Sequence, residues 1–96
     1  MITRRGTLPP GSGLHARPAA DLAAAIVAAG RSVRVSKPAG TAVDGRSVLG
    51  VLGLGIRGSE EVELSLEEAD GGNAAEAALL EQLLEVLGAD GDRAGG

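Results

Sequence analysis

The stretch GSGLHARPAADL, residues 11–22, holds the chain's one histidine, His15, with Arg17 two positions on. An imidazole in water is mostly neutral at pH 7, and in that form its nitrogen is a nucleophile. A guanidinium offers a planar fork of donors that matches phosphate oxygens. Pro18 lacks an N–H and has its φ fixed, so it suits a first helical turn and predicts that a helix starts within a residue or two of His15. His15 would then sit just ahead of that helix, beside the open backbone N–H groups of Ala16 and Arg17 and the positive end of the dipole. Those are the makings of an anion site. If the imidazole attacked a phosphoryl group, the dianion formed would lie where the amides and Arg17 could hydrogen-bond it. A lone histidine here also fits a solvated loop residue or a helix-boundary contact, and the residue types leave both readings open.

What must position these residues is a small domain. The 96 residues suffice for one modest core and not for two. The chain lacks Phe, Tyr and Trp, so the core must be Leu, Val, Ile and Ala, and there is no platform on which a base could stack. Without cysteine, disulfides, thiolate metal sites and cysteine nucleophiles are excluded. No apolar run approaches membrane-spanning length. The pair Arg4-Arg5 is followed by GTLPPGSG rather than an apolar segment, so an export signal is not expected and the chain reads as mature and soluble. The net charge of −4 is divided unevenly: residues 1–58 carry eight basic and two acidic side chains, residues 59–96 one basic and eleven acidic. The histidine lies in the basic half, which suits an anionic ligand or an acidic partner, although ordinary solvated surface gives the same count.

The chain reads as one α+β unit. A first strand is expected over residues 1–8, interrupted in its alternation by Arg4 and Gly6, and a loop over PPGSG. Residues 18–29 predict a helix with Leu22, Ile26 and Ala29 on its apolar face, Ala19 and Ala23 beside them, and Gly30 as the stop. SVRVS predicts a strand with Val33 and Val35 on one side, KPAG a turn, TAV a short strand, and DGRSVLGVLGLGI a weak helix rich in glycine. In EEVELSLE, Val62, Leu64 and Leu66 alternate with polar residues, as in an antiparallel sheet with one wet face. Residues 73–87 predict an amphipathic helix with Ala75, Leu79, Leu83, Val86 and Leu87 on the buried stripe. Two layers follow, helices on one side of the sheet and water on the other. The expected domain is 1–88, with an acidic, glycine-rich, disordered tail over 89–96.

One motif is set aside. GLGIRG, residues 53–58, has the spacing of a dinucleotide fingerprint, but it follows a short helix and leads into a strand, the reverse of the required context, so it reads as a tight turn.

GLHARPAA, residues 13–20, resembles the active-site signature of the HPr family, the histidine-containing phosphocarriers of the sugar phosphotransferase system. RSVLGVLGLGI, residues 46–56, resembles that family's second signature, around a regulatory serine. The two stand in the family's order, and the order of elements agrees over nearly the whole chain before the tail. The resemblance implies an open-faced β-sandwich, a four-stranded antiparallel sheet with three helices on one face. It implies a carrier rather than an enzyme with its own turnover. His15 would take a phosphoryl group from the phosphohistidine of Enzyme I, drawn from phosphoenolpyruvate, and give it to EIIA domains of sugar transporters. Arg17 would stabilise the phosphohistidine. Ser47 corresponds to the serine that a dedicated HPr kinase/phosphorylase modifies in some lineages; it also fits a plain helix N-cap. Val48, Leu49 and Leu52 correspond to the apolar docking surface, with core burial the competing role, most of all for Val48. A transcriptional regulator is a further partner the resemblance allows. It implies no cofactor, metal, nucleic acid or membrane, and a cytoplasmic monomer. Two alternatives stay open: a regulatory interaction module of the same fold, and a carrier in a nitrogen-related relay. His15 and Arg17 favour a carrier over the module.

Overall fold

A computed structural model describes residues 1–11, 13–67 and 73–91. The elements run β1 (Ile2–Thr7), α1 (Ala16–Ala29), β2 (Val33–Ser36), β3 (Val43–Asp44), α2 (Val48–Gly53), β4 (Glu61–Leu66), α3 (Asn73–Val86) and β5 (Asp90–Gly91). The strands form one sheet in the order β3-β2-β4-β1-β5, with every pairing antiparallel. The four expected strands are there, and the two-residue β5 adds an edge. Of the segment expected as a tail, Ala89 is buried and Asp90–Gly91 pair with Gly6 and Thr7 of β1; residues 92–96 lie outside the described residues.

Alternation decides which face of the sheet is dry. Val62, Leu64 and Leu66 of β4 and Val33 and Val35 of β2 are buried, and the residues between them on β4 are only partly covered. The three helices cover this one face. In β1, Gly6 is buried and Arg4 half-buried on the same side. The break in alternation seen in the sequence is resolved by size and reach. A glycine fits under the helices, and Arg4 extends to the edge, where its guanidinium lies 3.9 Å from Glu81 of α3.

α1 is alanine-rich, and its 14 residues are held by a buried face as well as by propensity. It buries Ala19, Leu22, Ala23 and Ile26; Ala29, expected on the apolar face, is exposed. Gly30 closes it in the left-handed region (φ 69°), its amide donating to the carbonyls of Ile26 and Val27. The stripe of α3 is rotated from the expected one. Leu80, Leu83, Leu84 and Leu87 are buried, while Ala75 and Val86 are exposed. Four leucines remove more apolar area from water than an alanine and a valine can, and they set the rotation. That rotation carries Glu76, 2% exposed, into the interior, where its carboxylate pairs with Arg31, which also donates to the carbonyl of Glu67. No described helix is long and apolar enough to cross a membrane.

Candidate functional site

The helix starts within a residue of His15, as Pro18 suggested, two residues ahead of the expected span 18–29. α1 starts at Ala16, so His15 is its N-cap, with an extended backbone (φ −111°, ψ −172°), and Pro18 occupies the third helical position. The carbonyl of His15 accepts the first helical bond, from the Ala19 amide at 3.1 Å. Its side chain makes no capping bond and is exposed. The amides of Ala16 and Arg17 precede the first intrahelical donor and have no acceptor among the described residues, and Pro18 has no N–H to offer. Imidazole and two open amides therefore share one solvent-facing end of α1, where the dipole adds roughly half a positive charge. Arg17 is exposed there, with no carboxylate partner among the described residues.

What holds this end in place is the loop after α2. The Leu14 amide donates to the Ile56 carbonyl at 2.9 Å, and both side chains are buried. Gly13 lies so close to that loop that a Cβ on it would stand 3.0 Å from the Ile56 oxygen and 3.1 Å from the Arg57 Cα. Further back, the Leu8 amide donates to the Glu60 carbonyl and the Ser59 amide to the Leu8 carbonyl, each at 3.0 Å. Leu8, Gly13 and Leu14 are thus stitched to residues 56–60, and the histidine motif rests on the end of the second motif. GLGIRG is the turn expected of it: α2 ends at Gly53, Gly55 takes φ 66°, and β4 begins at Glu61. Nothing in the local sequence marks the seat that Gly13 and Ile56 make, which joins residues more than forty apart in the chain.

Ser47 caps α2. Its Oγ accepts from the Gly50 amide at 3.0 Å, and its carbonyl accepts from Val51 at 2.9 Å. The turn before it is pinned by Asp44 and Arg46, whose guanidinium meets the carboxylate at 2.9 Å while its amide donates to the same group. The Arg46 guanidinium holds the Asp44 carboxyl down to about 2. Gly45 is buried here, and any Cβ on it would stand 2.9 Å from the Val33 carbonyl and press into Ile26. Of the residues expected to form a docking surface, Leu49 is 84% exposed, whereas Val48 and Leu52 are half-buried and pack against the core. Val51, between them, is fully buried, worth about 2 kcal/mol to a helix with two glycines that is weak alone. Among the described residues, no group of three or more His, Asp or Glu could hold a metal ion.

The arrangement can hold a tetrahedral dianion at the start of α1 within reach of a nucleophilic ring. A family model described as "PTS HPr component phosphorylation site" matches residues 2–87. The phosphocarrier protein HPr of Streptomyces coelicolor is 40% identical over 87 residues, which is 91% of this chain and 88% of that one. The solved structure of an HPr from Thermoanaerobacter tengcongensis has a TM-score of 0.72 at 26% identity, covering 92% of each chain. That of an HPr from Bacillus anthracis also gives 0.72, at 23% identity over 90% of this chain and 95% of that one, and bears on the fold alone. With the family model spanning nearly all of the sheet and helices described above, the chain belongs to the HPr family of phosphocarriers of the phosphotransferase system.

Proposed function

We propose that this protein accepts a phosphoryl group on His15 from the phosphohistidine of Enzyme I, itself charged by phosphoenolpyruvate, and donates it to EIIA domains of sugar transporters. The observation that carries the reading is the free, exposed side chain of His15 at the N-cap of α1, beside the open amides of Ala16 and Arg17. The transfer exchanges one P–N bond for another. A lone pair on His15 attacks phosphorus in line while the bond to the donor nitrogen breaks, and the donor imidazole keeps that electron pair. Charge spreads over the three equatorial oxygens. The two amides open at the end of α1 where those oxygens would gather, and Arg17, exposed in the same first turn, would add its fork, so that they stabilise both the transfer and the phosphorylated product. Donation onward is the same step reversed onto a second imidazole, and the carrier has no turnover of its own.

Partner docking is assigned to the α2 surface beside the site. Leu49 stands out of it as an apolar anchor, and Val48 and Leu52 form its half-buried base. Ser47 is exposed and at the start of the same helix. A kinase that phosphorylated it would place about −1.5 to −2 charges at the docking surface without breaking the fold. A purely regulatory module would need neither His15 nor Arg17. The relay is tested by reconstitution: charge the chain with Enzyme I and phosphoenolpyruvate, remove both, and add an EIIA domain. The chain is expected to lose 80 Da per phosphoryl group, about the mass of PO3H, as EIIA gains it. A phosphorylated chain that no EIIA domain discharges would sink the sugar-relay reading.

A further inference from the structure

Arg4, Arg5, Arg31, Lys37 and Arg46 each lie within 4.0 Å of a carboxylate. Arg17, Arg34 and Arg57 do not, among the described residues. Arg34 is on the exposed side of β2, away from the helices, but Arg57 is next to the site. Its backbone is the surface on which Gly13 rests, and the residue before it, Ile56, takes the Leu14 hydrogen bond. Leu14 and Ile56 are buried, while the residues that follow them, His15 and Arg57, are both exposed. The backbone of residue 57 is fixed, because its amide donates to Glu60 Oε1 at 2.7 Å, and that carboxylate also has Lys37 Nζ at 3.7 Å. The Arg57 amide, and after it the charges of Lys37 and Arg57, hold the Glu60 carboxyl below its usual range, but the Arg57 guanidinium forms no ion pair with it. Gly13 puts no side chain between Arg57 and His15. Its close contact with the Arg57 Cα, no more than about 4.6 Å between Cα atoms, and two residues of chain, about 7 Å, keep the Arg57 and His15 Cα atoms within about 12 Å. An extended arginine from one side and the imidazole with its phosphoryl group from the other together span such a gap.

Charge balance says why it would. A phosphoryl group brings about −1.5 to −2 charges, against which the α1 N-terminus supplies roughly +0.5 and Arg17 +1. We propose that Arg57 is a second cation for the phosphoryl group on His15, contacting it from the side of the Ile56 loop opposite the helix. The inference rests on His15 being the phosphorylated residue. It is tested on the full, 15N-labelled chain before and after phosphorylation by Enzyme I and phosphoenolpyruvate. The Nε–H resonance of Arg57, assigned with Arg57→Lys, is expected to shift on phosphorylation while that of Arg34 stays. Arg57→Ala should take up phosphoryl groups about 3- to 10-fold more slowly, as loss of one charge-assisted contact implies. Arg34→Ala, which removes the same charge elsewhere, should keep the wild-type rate. An unmoved Arg57 resonance overturns the proposal even if uptake slows, because the arginine would then serve the encounter with Enzyme I. No uptake by wild type would instead overturn the carrier reading on which the proposal stands.

Discussion

His15 and Ser47 hold the same position in two helices. Each is an N-cap with extended backbone, and each gives its carbonyl to the first helical bond. The serine hydroxyl turns inward to its own helix and accepts from Gly50; the imidazole makes no such bond. The difference follows from the helices they begin. α2 has six residues, two of them glycine, and is held by its cap and the burial of Val51 rather than by propensity. α1 has 14 residues, mostly alanine and other good formers, with a buried face and a glycine stop. A helix stable without a side-chain cap leaves that side chain, and two first-turn amides, available for chemistry.

The contrast can be broken from either end. The largest effect expected short of removing His15 is at Arg17. Arg17→Glu should fold normally, since the side chain is exposed, yet phosphoryl uptake should fall by about 10- to 100-fold, the value of a charge-assisted bond lost in the transition state. Arg17→Lys should also be slowed, because an ammonium lacks the fork. Unchanged stopped-flow rates in both would remove Arg17 from the mechanism.

Next in size is the seat. Gly13→Ala sets a Cβ against the Ile56 carbonyl and the Arg57 Cα. Neither backbone atom can rotate away, so the loop must move and carry His15 with it. Uptake should slow by about 10-fold, as sub-ångström misplacement of a reacting group allows, with a loss of stability of about 1–3 kcal/mol. Wild-type uptake by this variant would show that the Ile56 loop does not position the histidine.

At the other cap the order of effects reverses. Ser47→Ala should cost about 1 kcal/mol, seen as a Tm lower by about 4–8 °C, with uptake at the wild-type rate. Ser47→Asp keeps a capping oxygen and adds charge where the dipole accepts it, so its melt should be nearly normal while the encounter with Enzyme I weakens. Normal melting together with normal transfer would leave Ser47 a structural cap alone.

The smallest effect lies in pH. The Asp44 carboxyl, at 3.8 when unpaired, is held at about 2 by Arg46 in the folded protein. A lowered folded-state value means the contribution is complete above about 4 and lost as pH falls through about 2. Asp44 is exposed, so the change is slight; Asp44→Asn should remove it from a Tm profile measured between those pH values.

Much of this was legible in the chain. The alternation of Val62, Leu64 and Leu66 declared β4 and its dry face, and Pro18 with Gly30 bracketed α1. The near-misses share a cause, which is that each depends on what packs opposite. Glu76 reads as a polar helix position until Arg31 arrives from the end of α1. The stripe of α3 turns on which leucines meet the sheet, and Ala89 with β5 depends on the exposed edge of β1. Local pattern put His15 at the start of α1 and Ser47 at the start of α2, where both stand. It could not show that Gly13 and Leu14 are held by Ile56, a contact across more than forty residues.

The central claim is that the unused N-cap side chain is the carrier. The direct measurement is the intact mass of wild type and His15→Ala after incubation with Enzyme I, phosphoenolpyruvate and magnesium, followed by brief acid or base. The wild type should gain one phosphoryl group, lost in acid and kept in base as a phosphoramidate is, and His15→Ala should gain none. Phosphorylation of the alanine variant, or an acid-stable adduct on the wild type, would contradict the account.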